Sequence, residues 1–354
     1  MNEGPLQKAW QRRSDGIRTA LLDHFDRTAR DLPWRKDRTP YRILVSELML
    51  QQTRVETVIP YYHEWLLRFP DLEALGAAPL DEVLRAWQGL GYYSRARNLH
   101  RTAREVKERY GGRIPSTPQE LRTLPGVGEY TAGAVASIAF GLPEPAVDGN
   151  VRRVLSRLDD IAEPRPAQLR QRAAELLDAD RPGDSNEALM ELGATLCRPR
   201  NPLCDPCPVA EHCRALAAGT VGLRPPRRAR KPVPAVTVDV AVVLDGNDRA
   251  LVAKRPDEGL LAGLWEFPER DSVDLPAGAL EEEGALDSVF HAFTHLHATY
   301  RPAVLRIREA TTPRPGVRGR SEVRWLPLTR TDDVALPVAQ QRIAAAARAW
   351  LSRR

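Results

Sequence analysis

From Leu6 to about Ala218 apolar residues recur three and four positions apart, and a proline or glycine interrupts the pattern every dozen residues or so. That period belongs to amphipathic helices, and the interruptions to the turns between them. The run from Ile59 to Phe69 predicts a helix stopped by Pro70, and Asp81 to Trp87 predicts another. Ser94 to Tyr110 predicts a long, Arg-rich helix with Gly111-Gly112 as its stop. After Pro232 the period drops to two. Val236 to Leu244 alternates as a strand does, Asp245-Gly-Asn-Asp248 reads as a turn, and Ala250 to Ala253 returns. Further strands are expected near His297–Leu305 and Glu322–Leu326, and a closing helix over Val338–Leu351.

The change of period divides the chain. Residues 1–223 form a mostly α region, and residues 235–354 a small α+β domain with a mixed or antiparallel sheet. Between them, Arg224-Pro-Pro-Arg-Arg-Ala-Arg-Lys-Pro232 holds three prolines and five positive charges, so residues 224–234 read as an extended, solvated linker. A length of 354 residues suits two domains, and 42% apolar with 28% charged residues suits a soluble globular protein. No apolar run is long enough to span a membrane, and the first residues lack the apolar core of a secretory signal, so a cytoplasmic protein is expected. The formal charge of +5 resides in the first two thirds of the chain, which weakly favours an anionic partner.

Four stretches carry candidate chemistry. In Tyr41 to Thr53, Glu47 shares a helix face with Ile43, Leu44 and Leu50. Loss of hydration there raises a carboxyl's proton affinity, which suits a general acid. Gln51, Gln52 and Thr53 follow with groups that suit a polar edge such as that of a base. The second stretch is Leu124-Pro-Gly126-Val127-Gly128-Glu-Tyr130. Its glycines allow close backbone approach, and the amides opening the next helix can bind a phosphate. In the third, Asp148-Gly-Asn150 precedes a helix that either residue can cap. An aspartate partly satisfied by helix amides stays ionised, and would complement a protonated Glu47 in cleaving a glycosidic bond.

The fourth stretch holds every cysteine of the chain, within the 17 residues from Cys197 to Cys213. The spacing of Cys197, Cys204, Cys207 and Cys213 is C-x6-C-x2-C-x5-C, which suits zinc or a [4Fe-4S] cluster. One compact loop with a single C-x2-C fits the cubane better.

Together, L-P-G-V-G, V-D-G-N and this cysteine spacing resemble the helix-hairpin-helix DNA glycosylases with an iron–sulfur loop, the endonuclease III superfamily. S-E-L-M-L-Q-Q-T, G-L-G-Y-Y-S-R-A-R-N-L and N-E-A-L-M-E-L-G are similar to its adenine-specific branch. The likeness runs from about Leu32 to Cys213 and resumes at Gly259-Leu-Leu-Ala-Gly-Leu-Trp-Glu-Phe-Pro268. The resemblance implies a monomeric, monofunctional glycosylase that carries a [4Fe-4S] cluster. It would act on double-stranded DNA containing adenine opposite 8-oxoguanine or guanine, without a membrane partner.

The resemblance also assigns roles. Glu47 would protonate adenine N7, Asp148 would stabilise the oxocarbenium-like sugar, and Tyr130 and Asn150 would order these carboxylates. Glu187 and Arg35 would reach the flipped adenine, and Gln52 and Thr53 the opposite base. Leu90 and Tyr92 would enter the duplex, while of the pair Tyr92 and Tyr93 one is expected to pack in the core. Gly126, Val127 and Gly128 would lie on the DNA backbone. Schiff-base lyases of the superfamily carry a lysine where this chain has Tyr130, and no lysine occurs between Lys107 and Lys231. The C-terminal domain resembles the Nudix-related lesion-reading domain, with Phe293, Thr294 and His295 where the family has F-S-H. The Glu-rich stretch Ala277–Gly284 lacks the R-E half of a working Nudix box and is expected to be a solvated face.

Overall fold

The computed structural model describes residues 5–226, 232–276, 278–308 and 315–353. It divides into two compact units. The first comprises Met1–Gly76 and Arg101–Ala229, and the second Ala77–His100 and Arg230–Arg354. No helix among the described residues is long and apolar enough to cross a membrane.

The first unit is helical and built around the Glu129–Phe140 helix, whose residues Thr131 to Ile138 are all buried. A helix apolar on every side must be enclosed, and this one packs against the Pro40–Leu50 and Pro182–Thr195 helices. Close approach requires Gly133, because a Cβ there would stand 2.4 Å from the Pro145 carbonyl oxygen. A second core lies between the Pro5–Thr28, Gly149–Leu158, Pro166–Leu176 and Pro182–Thr195 helices, around Ile17, Val154, Leu169 and Leu189. Prolines open several of these helices, where the missing N–H costs nothing. Gly141, at φ 67°, ends the central one.

The expected boundaries hold in part. The Ser94–Tyr110 helix ends at its two glycines as predicted. The helix expected from Ile59 begins earlier, spans Val55–Arg68 and runs through Pro60. The carbonyl that Pro60 cannot bond belongs to Glu56, which is exposed, so water can take its place.

The second unit carries a seven-stranded mixed sheet. Ala235–Leu244 pairs in parallel with His297–Ile307, and antiparallel with Arg249–Lys254. Trp265–Glu266 and Val323–Pro327 extend the sheet on Arg249–Lys254. Leu280–Ala285 and Val289–Ala292 both pair with His297–Ile307, and Pro302 lies where one outer partner gives way to the other. That is a position at which a strand tolerates a residue without an N–H. The Val338–Leu351 helix covers a core of Val242, Val252, Trp265, Val304 and Ile343.

Ala77–His100 is part of this unit. Lys254 pairs with Asp81 at 2.7 Å, Gln88 Oε1 accepts the Leu336 N–H at 3.0 Å, and Arg97 Nη1 donates to the Ala262 carbonyl at 2.7 Å. Much of the expected linker, residues 227–231, lies outside the described residues. Arg224, expected to be solvated, instead pairs with Asp160 at 2.8 Å and is largely buried.

Ala277 also lies outside the described residues. The glutamates after it form part of a strand, and each faces an arginine: Glu281 with Arg308, Glu282 with Arg270, Glu283 with Arg306.

Candidate active site

Glu47 sits in the Pro40–Leu50 helix and is 6% exposed, flanked by buried Ile43 and Leu44. It opens onto a cavity of about 510 Å³. Asp148 lines the same cavity, so the two carboxyls proposed from the sequence share one pocket. Tyr130, near the start of the central helix, donates its hydroxyl to Glu47 Oε2 at 2.6 Å. Asp148 caps the Gly149–Leu158 helix, where Oδ1 accepts the Val151 N–H at 2.7 Å. Its Oδ2 accepts Asn150 Nδ2 at 3.2 Å. Asn150 is itself held by Arg153, whose Nη2 donates to Asn150 Oδ1 at 2.8 Å and whose Nε donates to the Cys197 carbonyl at 2.7 Å. Gly193 gives Asn150 its room, since a Cβ at that glycine would stand 2.6 Å from Asn150 Cβ.

Burial pushes Glu47 up to about 7, against the pull of the Tyr130 hydrogen bond and with help from the Asp148 and Glu187 charges. Burial also raises Asp148 above its ordinary value. The Val151 and Asn150 amides and the Arg153 charge oppose that rise. The capping amides therefore restrain the effect of burial on Asp148 without reversing it. Tyr130 is held well above the usual phenol range by burial and by the neighbouring carboxylates, so it serves as a neutral donor.

One wall of the cavity is an alternating chain of charges. Arg35 Nε meets Glu187 Oε1 at 2.8 Å, and its Nη2 meets Glu191 Oε2 at 3.0 Å. Arg30 makes a two-point contact with Glu191 at 2.7 and 2.9 Å. Arg38 bridges Glu187 Oε2 at 2.6 Å and Asp184 at 2.7 Å. Burial would raise Glu191, but Arg30 and Arg35 together hold it below its ordinary value. Arg30 and Glu191 were not singled out from the sequence. The available signal was spacing: Glu191 follows Glu187 by four residues and so shares its helix face.

Gln52 and Thr53 line the same cavity, Gln52 exposed and at φ 58°. Gln51 Nε2 reaches Thr131 Oγ1 at 3.2 Å. Gly126, Val127 and Gly128 form the tight turn before the central helix. Gly126 is at φ 77°, Val127 is buried, and the Thr102 hydroxyl pins the turn through the Pro125 carbonyl at 3.0 Å.

Tyr92 and the Phe293-Thr294-His295 loop lie together in the second unit, around a cavity of about 380 Å³. Tyr92 stands out, 43% exposed and at φ 45°, and its hydroxyl meets Thr294 Oγ1 at 2.7 Å. Arg95 lies against the Tyr92 and Trp87 rings and donates to the carbonyls of Leu90 and Gly91. Leu90 is 5% exposed, so its side chain packs in the core here and does not stand out as expected of a residue that enters a duplex. Tyr93 is the buried member of the tyrosine pair.

Cys197, Cys204, Cys207 and Cys213 line one pocket with Val154 and Leu158. None is in a disulfide. Burial pushes Cys207 up to about 11 and also raises Cys204 and Cys213, so a cation is needed to draw their protons off. Arg157 Nη1 donates to Cys197 Sγ at 3.3 Å. Among the described residues, no group of three or more His, Cys, Asp or Glu side chains is arranged to hold a single metal ion. Four cysteines lining one pocket supply a donor set whose chemistry suits a thiolate-bound cluster.

Residues 45–179 match the HhH-GPD superfamily base excision DNA repair protein family, and residues 239–346 match the NUDIX domain family. The human adenine DNA glycosylase is 38% identical over 92% of this chain and 73% of its own length. The adenine DNA glycosylase of Buchnera aphidicola subsp. Schizaphis graminum is 30% identical over 89% of this chain and 93% of its own. Among solved structures, a thermostable thymine-DNA glycosylase superposes with a TM-score of 0.56 at 30% identity. It covers 59% of this chain and 99% of its own.

Proposed function

The chain belongs to the adenine DNA glycosylases of the HhH-GPD base excision repair superfamily, and we propose that it hydrolyses the N-glycosidic bond of adenine lying opposite 8-oxoguanine or guanine in double-stranded DNA. The observation that carries this reading is the single cavity lined by Glu47 and Asp148, with Tyr130 bonded to the first and Asn150 to the second. A flipped adenine occupies the cavity. Glu47, protonated near neutral pH, gives its proton to N7. The bond from C1′ to N9 then breaks with its electron pair on the base. The Asp148 carboxylate stabilises the electron-poor sugar, directly or as a transient acetal, until water adds at C1′ and its released proton returns to the Glu47 carboxylate. Products are free adenine and an abasic site.

The charged wall of Arg30, Arg35, Glu187 and Glu191 faces the rest of the base. Gln52 and Thr53 contact the opposite base, and the Gly126–Gly128 turn meets a phosphate. Tyr92 wedges into the duplex, and Phe293, Thr294 and His295 read the lesion. Cys197, Cys204, Cys207 and Cys213 would hold a [4Fe-4S] cluster, which would cross-link their loop. Strand cleavage through a Schiff base is not expected to follow, because Tyr130 stands where the lyases carry their lysine and no lysine occurs between Lys107 and Lys231.

Single-turnover assays on duplexes with A:8-oxoguanine, A:G and T:G test the reading. Adenine should leave the first two, fastest opposite 8-oxoguanine, and borohydride should trap little adduct. Equal rates for wild type and Glu47→Gln would remove Glu47 from the mechanism. Thymine release with efficient trapping would favour a thymine-specific lyase.

A further inference from the structure

Glu187 is held more firmly than a residue that only touches a base needs to be. Its two carboxylate oxygens are each taken by a different arginine, Arg35 at 2.8 Å and Arg38 at 2.6 Å. It is buried, and it lines the same cavity as Glu47. We propose that Glu187, fixed between Arg35 and Arg38, is a positioning residue whose charge sets the pH range over which Glu47 keeps its proton. The inference rests on the reading of Glu47 as the acid.

The groups around Glu47 make the sign of the effect clear. Tyr130 on the central helix donates to it and favours its charged form. Asp148, at the start of the Gly149–Leu158 helix, disfavours that form, and so does Glu187 on the Pro182–Thr195 helix. Glu191, on that same helix, is tied to Arg30 and Arg35, which bring positive charge from the segment around Pro33–Lys36. The Val55–Arg68 helix adds only Val55 to the cavity, and the remaining cavity residues of the helix bearing Glu47 are apolar.

Like charges in a dry pocket repel strongly. The two arginines each hold one Glu187 oxygen, at 2.8 and 2.6 Å, so the group stays fixed at the wall of the cavity that Glu47 also lines. Removing the Glu187 charge also leaves Arg35 and Arg38 less compensated, and both changes ease the ionisation of Glu47. Removing Arg38 instead leaves Glu187 less neutralised, and Glu47 then holds its proton to higher pH. Opposite shifts from two members of one ion pair are a signature that simple structural damage does not produce.

The experiment is the pH profile of single-turnover adenine release from an A:8-oxoguanine duplex, under saturating full-length holoenzyme. In the wild type the rate should fall as pH rises through about 7, as Glu47 loses its proton. In Glu187→Gln that limb should move down by about half a pH unit or more, and in Arg38→Gln it should move up. Limbs that coincide with the wild type, or shift in the same direction, overturn the proposal. If Glu187→Gln does not fold, Arg38→Gln decides alone, because Arg38 is one-third exposed at the end of the network. A wild type with no alkaline limb would sink the acid role of Glu47 itself. A limb that is present but immobile sinks only the tuning by Glu187.

Discussion

At the scale of single residues, Glu47 trades stability for a proton. Its ordinary value of 4.5 applies in the unfolded chain, and burial lifts it to about 7 in the fold. Between those values the folded state binds the proton more tightly, so stability falls as pH rises through the window. Below about 4.5 both states hold the proton and the penalty is absent. Above about 7 it is complete, at about 3 kcal/mol. Glutamine in its place has no charge to bury and can still accept the Tyr130 hydroxyl. Glu47→Gln should therefore abolish adenine release while making the protein more resistant to urea than wild type at pH 8. The advantage should shrink as the pH is lowered through the window. An equal gap at both ends would show that burial of the charge is not what Glu47 costs the fold. The apolar helix face beside Glu47 is legible in the sequence, and so is the cap at Asp148. The net direction at Asp148 is not legible, because the depth of its burial depends on elements that meet only in the folded chain.

At the scale of elements, the site depends on how closely the central helix can be approached. The irregular stretch that delivers Asp148 passes directly over Gly133, with the Pro145 carbonyl oxygen 2.4 Å from where a Cβ would sit. Backbone cannot yield as a flexible side chain can. Gly133→Ala should cost roughly 1–3 kcal/mol by denaturant unfolding, and should slow adenine release by displacing Asp148. Wild-type stability in that variant would mean the stretch is free to move away. Elements with local punctuation are the ones read correctly from sequence: the Ser94–Tyr110 helix has its glycine stop, and Ala235–Leu244 has its alternation. The parallel pairing of Ala235–Leu244 with His297–Ile307 leaves no such local mark, because the partner strand lies far along the chain. The charged wall escaped for a related reason. Arg30 and Glu191 are 161 residues apart, and nothing near either one announces the other.

At the scale of the whole molecule, the change of sequence period near Pro232 separates helical from sheet-forming chain, yet it does not mark every member of each compact unit. Ala77–His100 is helical in pattern and belongs with the sheet. What ties it there is polar and specific: Asp81 to Lys254, Gln88 to the Leu336 amide, Arg97 to the Ala262 carbonyl. The same segment carries Tyr92, whose hydroxyl meets Thr294 in the Phe293-Thr294-His295 loop. A chain cut before residue 232 keeps Ala77–His100 but loses every one of these partners. Its amides should then open more readily, because local opening is governed by the contacts a segment makes. Hydrogen exchange across Ala77–His100 should quicken about tenfold or more in the truncated chain. The Glu129–Phe140 helix, enclosed within the first unit, should keep its protection. Unchanged exchange across Ala77–His100 would mean that these partners do not set its protection. The expected result makes Tyr92 and Thr294, the proposed wedge and the proposed lesion reader, parts of one folding unit that loosens when the C-terminal sheet is lost.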